Sequence, residues 1–597
     1  MPAQTLALWL KEITQSAITD LFNLNNSPIT IAEPPKGFSG DLTINLFQLA
    51  KPAQIAPQEL GEKLGDYLIQ QNIGIDSFQV IKGFLNLTFS HEFWRNWTHN
   101  FDPNKEIQAL HSNGNNIRVL IEFPSPNTNK PLHLGHLRNI FLGEALSRMF
   151  ELNGYSVIRA NLVNDRGVHI CKSMYAWMKL GNNETPYSTN IKGDHFVGKY
   201  YVKFEKLFQE EIAALIEKGL TKEQAAKEAP CQLALYQMLA KWEQGDPEIR
   251  KVWTTMNQWV YEGFETTFTR LGIHFDKTYY ESNTYLLGKE LIQEGLINNV
   301  FYQRPDNSIW VDLQAEKLEE KLVLRSDGTS VYITQDIGTA RLKYLDFKMD
   351  RSVYVIGNEQ EHQMKALFAI LNKMQEPYAE GLYHLSYGMV ELPTGKMKSR
   401  EGTVVDADDL LDEMELIAEN KTRELGKTEG LSEPELNHLK KIIGEGALRY
   451  LILKVDPRKG MLFDPEESID FKGNTGPFLQ YTYARIFSLL QKATINAESN
   501  SLNQEIIIGD AERLLLRQLA GFQDALKVQT DKEYDPGRVA NYAFELASRF
   551  GRFYNEVPVL KSNNTSELNF RIQLCQHTAQ ILKICLSVLG IEVPERM

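Results

Sequence analysis

The chain reads as an α/β nucleotide-binding domain with a mostly helical insertion, preceded by a smaller α+β domain and followed by an all-helical region. Three observations predict this. The run RVLIEF (118–123) is short, apolar and β-rich, like a strand buried in a parallel sheet, and is followed by a Pro-rich loop, a long helical pattern (LRNIFLGEALSRMFELNGY) and a second strand, SVIRANLV. That strand–loop–helix–strand order is the βαβ grammar of a Rossmann-like sheet. Strand-like runs return only after a largely helical stretch from Gly167 to Gly272, and beyond Asp406 almost every segment has helical periodicity.

In chain order, Leu6 to Phe22 has the apolar spacing of an amphipathic helix, and DLTINLFQL and SFQVIKGFLNLTF follow as strands. HNFDPNKEIQALHSNGNNIR (99–118), rich in Asn, Asp and Gly, reads as a linker. SIWVDL, VYIT and SVYVIG supply the second half of the α/β domain, with a helix from Asp336 to Tyr344 between the last two. The helical C-terminal third is broken by the loop DPRKGMLFDPEESIDFKGNTGP. These transitions predict domains at 1–108, 109–405 (insertion about 170–272), 406–440 as a helical connector, and 441–597.

Composition bounds the function more loosely. Hydrophobic residues make up 43% and charged residues 24%, the balance of a globular protein rather than a disordered or membrane-embedded one. No run of about 18 apolar residues occurs, and the N-terminus MPAQTLALWLKEITQ lacks the basic start and long apolar core of a secretory signal. Cys171, Cys231, Cys575 and Cys585 have no CxxC or zinc spacing, as expected of idle thiols in a reducing cytoplasm. The net charge of −13 argues against a nucleic-acid partner, yet residues 441–597 hold 19 Lys and Arg against 19 Asp and Glu, so the acidic excess lies upstream. Charge alone leaves that partner open.

The chemistry lies in IEFPSPNTNKPLHLGHLRN (121–139), which places His133, Gly135 and His136 between a buried strand and the start of a helix. Helix N-terminal amides favour anions, Gly135 permits close backbone approach, and two imidazoles three residues apart can donate to phosphate oxygens as charge develops. A bare HxGH could equally be a pair of capping or core histidines. Zinc is a poor alternative, since HExxH and a third nearby ligand are missing, and without GxxxxGK[ST] the chain has no P-loop. The motif is not bare, however. With Asn127 and Lys130 ahead of it, PNxxKxxHxGHLR resembles the signature of class I aminoacyl-tRNA synthetases and, within them, of the arginine enzymes.

About 260 residues downstream, GKMKSREGTVV (395–405) resembles the mobile lysine loop of the same family. Cations that close over a leaving pyrophosphate suit adenylyl transfer. Here Ser399 stands where the family's second lysine is usual and Lys398 where its serine is usual. The resemblance therefore assigns phosphate contacts to His133, Gly135, His136 and Lys396, with Lys130 or Lys398 replacing the missing charge. It places adenine at the backbone of Met389 and Val390. For the amino acid it implies Glu122, Asn127, Tyr332, Asp336 and Gln360, acceptors suited to a guanidinium and an α-ammonium. Read without it, Asp336 could be a helix N-cap and Tyr332 a core aromatic.

EGALRYLILK and FKGNTGPFLQYTYARI resemble the helical anticodon-binding domain of these enzymes, and residues 1–108 their additional tRNA-elbow domain. Anticodon bases are read by stacking and polar edge contacts, which singles out Tyr481, Tyr483, Arg485 and Tyr554, with Met597 at the C-terminus. For aromatics at helical spacing, core packing is the competing reading. The resemblance implies ligation of L-arginine to tRNA(Arg) through an arginyl-adenylate, with ATP and Mg²⁺, by a monomeric cytoplasmic enzyme with no resident metal site in the protein. A cysteine, glutamate or glutamine enzyme, a small-molecule adenylyltransferase and a non-catalytic tRNA-binding relative are the alternatives. Each lacks a feature that the sequence carries or wants one that it lacks.

Overall fold

The computed structural model describes residues 5–391, 405–424, 426, 430–494, 506–528, 534–562 and 564–597. Lys396 and Lys398 lie outside the described residues. The N-terminal part is a four-stranded antiparallel sheet in the order Ile31–Ala32, Leu42–Asn45, Phe84–Phe89, Ile75–Ile81, backed by helices Leu6–Phe22 and Pro57–Gln70. The hairpin of Ile75–Ile81 and Phe84–Phe89 at its edge turns at Lys82 and Gly83, both with positive φ (49° and 81°), the two-residue turn whose twist matches paired strands. The stretch 99–118 is not simply a linker: Asp102 caps a helix, Pro103–Leu110, accepting from the Asn104 amide at 3.0 Å, with Pro103 in the first turn where its missing N–H costs nothing.

The central layer is a five-stranded parallel sheet in the order Leu382–Tyr387, Arg351–Gly357, Arg118–Glu122, Ser156–Val163, Lys277–Tyr280. Every pair in it is parallel. The strand Arg118–Glu122 is central, and its residues alternate between two cores. Val119 and Ile121 join the side of helix Leu134–Leu152, while Leu120 faces helices Tyr332–Phe347 and Glu361–Lys373. The connections therefore leave this strand in opposite directions, which makes its carboxyl end the switch point where such sheets bind ligands.

Between Ser156–Val163 and Lys277–Tyr280 the chain forms the helical insertion, dominated by Gly193–Glu217 and Pro247–Arg270. Ile309–Val311 belongs to a separate three-stranded antiparallel sheet. VYIT is not a strand. Val331 precedes helix Tyr332–Phe347, and the Thr334 hydroxyl accepts from the Val331 amide at 3.2 Å, so a side-chain cap overrides the β-branched composition. The C-terminal helices pack back on both other parts. Arg513 donates to Asp41 (2.8 Å) and to the Phe89 carbonyl (2.9 Å), and Arg148 of the Leu134–Leu152 helix donates to the Ser587 carbonyl (2.9 Å).

Candidate active site

The loop after Glu122 is braced against the end of the neighbouring strand. Ser125 donates its amide to the Asn161 side chain (3.3 Å), Asn164 donates to the Pro126 carbonyl (2.9 Å), and Thr128 donates to the Asn164 carbonyl (3.1 Å). This fixes the approach to His133, which caps helix Leu134–Leu152 with extended backbone. The His133 amide donates to Nδ1 of His136 at 3.1 Å, leaving the proton of a neutral His136 on Nε2, and the two rings lie 3.8 Å apart. A Cβ at Gly135 would stand 3.1 Å from the His133 ring, so glycine lets the ring fold over the helix start.

Lys130 reaches the same point, with Nζ 3.3 Å from Nε2 of His133. Burial and the Lys130 charge hold the His133 imidazole down at about 3, and burial with the neighbouring His133 and Lys130 holds His136 well below its usual value. Both rings are thus neutral at physiological pH and act as hydrogen-bonding groups rather than as cations. Burial also lowers Lys130 from its ordinary value. Nδ1 of His133 is buried with no hydrogen-bond partner among the described residues.

The segment that leaves the lysine loop lies against this motif. Leu134 donates to the Val405 carbonyl (3.1 Å) and Ala407 to the Leu132 carbonyl (3.0 Å). Asp406 then caps helix Ala407–Glu424, accepting from the Asp408 amide at 2.8 Å. The insertion grips the same turn. Nε2 of His195 is 3.3 Å from both Asp406 and Asp408, and Lys192 bonds Asp408 at 2.6 Å and Asp194 at 3.1 Å. Asp194, His195 and Asp408 have the spacing of a cation site, but the Lys192 ammonium already sits on both carboxylates.

Met389 and Val390 lie on the loop's other side. Val390–Glu391 pairs in parallel with Met461–Leu462, and the Met389 and Glu391 carbonyls accept from Met461 (3.0 Å) and Phe463 (2.9 Å). The alternation of a parallel ladder turns the Val390 backbone to the opposite side. Arg138, within the HLGHLR motif, donates to the Pro457 (3.1 Å) and Lys459 (2.7 Å) carbonyls, and Gly388 donates to Pro457 as well (2.8 Å). The HLGHLR helix and the Met389 segment are therefore joined to the start of the C-terminal region.

The other side of the strand end gathers carboxylates. Glu122 is buried at the strand end and paired with the buried ammonium of Lys343. Asp336 stands one turn inside helix Tyr332–Phe347, not at its N-cap, and accepts from Nε2 of Gln363 at 3.1 Å. Burial pushes the Asp336 carboxyl up to about 6, opposed by Gln363 and Lys343 and reinforced by Glu122. Tyr332, 78% exposed at the helix start, is not a core aromatic. Asn127 is exposed, its backbone bridged to Asn164, and Gln360 is exposed on the 3-10 turn Asn358–Gln360.

Three residues were not anticipated from the sequence: Gln363, Lys343 and Glu281. Burial pushes the Glu281 carboxyl up to about 7, against the pull of Arg166 and helped by Asp165 and Asp336, so it belongs to the same acidic mouth. Its position directly after the strand-like KTYY was the available signal.

At the far end, Tyr481, Arg485, Tyr554 and Met597 line one cavity of about 970 Å³ together with Lys561 and Arg596. The Arg485 guanidinium lies 4.6 Å from the Tyr481 ring centre and 5.3 Å from that of Tyr554. Tyr483 is only 7% exposed and lines a different cleft, beside Arg449 and Ile591.

Comparison with known proteins matches this architecture part by part. Residues 104–464 match the family model of the class I (R) tRNA synthetase catalytic domain, 479–597 that of the DALR anticodon binding domain, and 9–89 that of the arginyl tRNA synthetase N-terminal domain. An arginine–tRNA ligase of Bacteroides thetaiotaomicron is 48% identical over 574 residues, covering 95% of this chain and 96% of the relative. One of Amoebophilus asiaticus is 47% identical over 595 residues, covering 99% of each. The solved arginyl-tRNA synthetase of Thermus thermophilus superposes with a TM-score of 0.78 at 25% identity, covering 99% of this chain and all of that one. With matching models for all three parts and relatives alike over nearly the whole length, the chain belongs to the arginine–tRNA ligase family of class I aminoacyl-tRNA synthetases.

Proposed function

We propose that the chain activates L-arginine with ATP and transfers it to tRNA(Arg), and that the residues assembled at the switch point of the sheet carry the reaction. The observation that supports this best is the combination of two neutral imidazoles and Lys130 at a helix N-terminus with the buried Glu122 and the half-buried Asp336 and Glu281 carboxylates. The first group suits a triphosphate and the second a cationic amino acid.

In this reading Glu122 and Asn127 take the α-ammonium, and Tyr332, Asp336 and Gln360, joined by Glu281, take the guanidinium. The α-carboxylate is thereby aimed at the α-phosphorus of an ATP whose adenine lies along Met389 and Val390. One carboxylate oxygen bonds to phosphorus as the bond to pyrophosphate breaks, giving arginyl-adenylate. His133, His136 and the amides around Gly135 hold the phosphate oxygens, while Lys130, Lys396 and Lys398 meet the charge that builds toward pyrophosphate. A terminal ribose hydroxyl of tRNA then attacks the acyl carbon and AMP leaves. Magnesium arrives with the triphosphate, whose oxygens are hard ligands suited to it.

The cavity around Arg485 reads the anticodon, with Tyr481 and Tyr554 as stacking platforms. Residues 441–597 thus form the anticodon domain, 406–440 the connector and 1–108 the contact to the tRNA elbow. The four cysteines are all buried and unbridged, in keeping with a cytoplasmic enzyme. A single-chain enzyme is expected by light scattering. ATP–pyrophosphate exchange with each amino acid, with and without tRNA, tests the whole reading: exchange should require arginine, and exchange driven by another amino acid would overturn it.

A further inference from the structure

We propose that Lys343 is a positioning residue for amino-acid binding: its buried ammonium holds the Glu122 carboxylate from the core side and fixes its orientation toward the substrate's α-ammonium. The inference rests on the reading that Glu122 binds the amino acid.

The side chains of Lys343 and Glu122 are 2% and 5% exposed, and they are paired through Oε2 of Glu122. Lys343 follows Asp336 by seven residues, two helical turns, so one face of helix Tyr332–Phe347 presents both groups to the sheet. Asp336 stands at the mouth and Lys343 deeper, where its ammonium also lies 4.9 Å from the centre of the Tyr354 ring. Tyr354 is the register partner of Glu122 on the adjacent strand. The titratable groups facing Glu122 are therefore Lys343 and Asp336 from the helix, Tyr354 from one strand and Tyr279 from another. Lys343 is the one cation paired with it among the described residues.

A carboxylate this dry needs a partner that offsets its desolvation and holds it in one orientation, and the Lys343 ammonium is that partner. Lys343 occupies Oε2 from the core side and leaves Oε1 for the ligand. It also bears on the balance of charge. Glu122 together with Lys343 is neutral overall, so the charge left for the substrate side chain is that of Asp336 and Glu281. That arrangement suits a single guanidinium and leaves a neutral side chain of the same shape facing unpaired carboxylates.

The test compares Lys343→Met, Lys343→Arg, Glu122→Gln and the Lys343→Met/Glu122→Gln double variant by steady-state exchange kinetics at pH 7.5. Lys343→Met should raise the KM for arginine by about 30-fold or more at pH 7.5 while the KM for ATP moves less than about twofold. The double variant should bind arginine no worse than Glu122→Gln alone. An arginine KM near wild type in Lys343→Met beside an impaired Glu122→Gln would overturn the proposal. A normal Glu122→Gln would instead overturn the underlying assignment of Glu122. Should Lys343→Met show no cooperative thermal transition, Lys343→Arg decides. It retains the cation and should keep most of the affinity, and a loss equal to that of Glu122→Gln would refute the role.

Discussion

Removing Lys130 should slow adenylate formation far more than it weakens ATP binding. Its ammonium is held 3.3 Å from Nε2 of His133, on the fixed side of the pocket, and lines a cavity of about 220 Å³ with His133, His195 and Asp406. A unit charge pair about 4 Å apart at an effective dielectric near 20 attracts by about 4 kcal/mol. Phosphate oxygens are already charged in bound ATP, so only the increment that develops in the transition state accelerates the reaction. If about two-thirds of a charge moves onto the oxygens facing Lys130, that increment is about 2.7 kcal/mol, or roughly 10²-fold in rate. Lys130→Ala should therefore lower kcat by about 10²-fold with a change of only a few-fold in the KM for ATP. Lys398→Ala should do less. Single-turnover kinetics at saturating ATP and tRNA separate these quantities. A near-normal Lys130→Ala enzyme beside a crippled Lys398→Ala enzyme would reverse the assignment and leave the Lys130–His133 contact as packing.

The amino-acid side makes separate demands. Glu122→Ala or Asp336→Ala should raise the KM for arginine about 10²-fold or more, since removing one member of a buried charged set costs about 3–5 kcal/mol, with tRNA affinity by filter binding unchanged. Arginine affinity should also fall with pH. Asp336 and Glu281 titrate near 6 and 7 in the free enzyme, above the usual carboxyl range, so below those values they hold protons that the guanidinium must displace. Calorimetry in two buffers of different ionisation enthalpy should register proton release on arginine binding between pH 6 and 7, and no release would rule out both carboxylates as ligands. At the far end, Arg485→Ala should raise the KM for tRNA about tenfold without changing the KM for arginine, because it removes the cation poised between Tyr481 and Tyr554. Truncation after about residue 440 should abolish charging, which a direct aminoacylation assay reads.

How much of this was legible depends on how local each signal is. RVLIEF and SVIRANLV announced their strands because both faces of a central parallel strand are buried and their runs are correspondingly apolar. The HLGH motif was legible because its chemistry is packed into one helix turn. VYIT misled because β-branched residues were weighed and the capping hydroxyl of Thr334 was not. The acidic mouth was only half legible. Glu122, Glu281, Asp336, Lys343 and Gln363 come from a strand end, a turn after another strand and two helices, and no spacing along the chain relates them. The order of the parallel sheet does. Lys343 was the hardest to see, because a lysine in a helical stretch reads as a solvated face until the fold turns it inward against a carboxylate. Tyr481 and Tyr483 show the same limit from the other side: they are two residues apart on one helix, so they point in different directions, and only Tyr481 lines the cavity with Arg485.

The net charge of −13 misdirects for a physical reason. A site that selects a cationic amino acid needs carboxylates, and the domain that holds it lies in the acidic part of the chain. In the proposed site Glu122, Asp336 and Glu281 would act at contact distance in a poorly hydrated mouth, where electrostatics is strong and short-ranged. A polyanion such as tRNA is met differently, by cations gathered where its phosphates and bases pass. At about 8–10 Å of screening in physiological salt, a strand in the cavity of Arg485 feels Lys492, Lys561 and Arg596 on its walls far more than acids in the distant catalytic domain. Acidic residues 1–440 and a neutral C-terminal third are therefore compatible with one enzyme that must hold a small cation at one end and a large anion at the other. The two demands are kept apart by distance, and a whole-chain charge averages over a separation that the fold maintains.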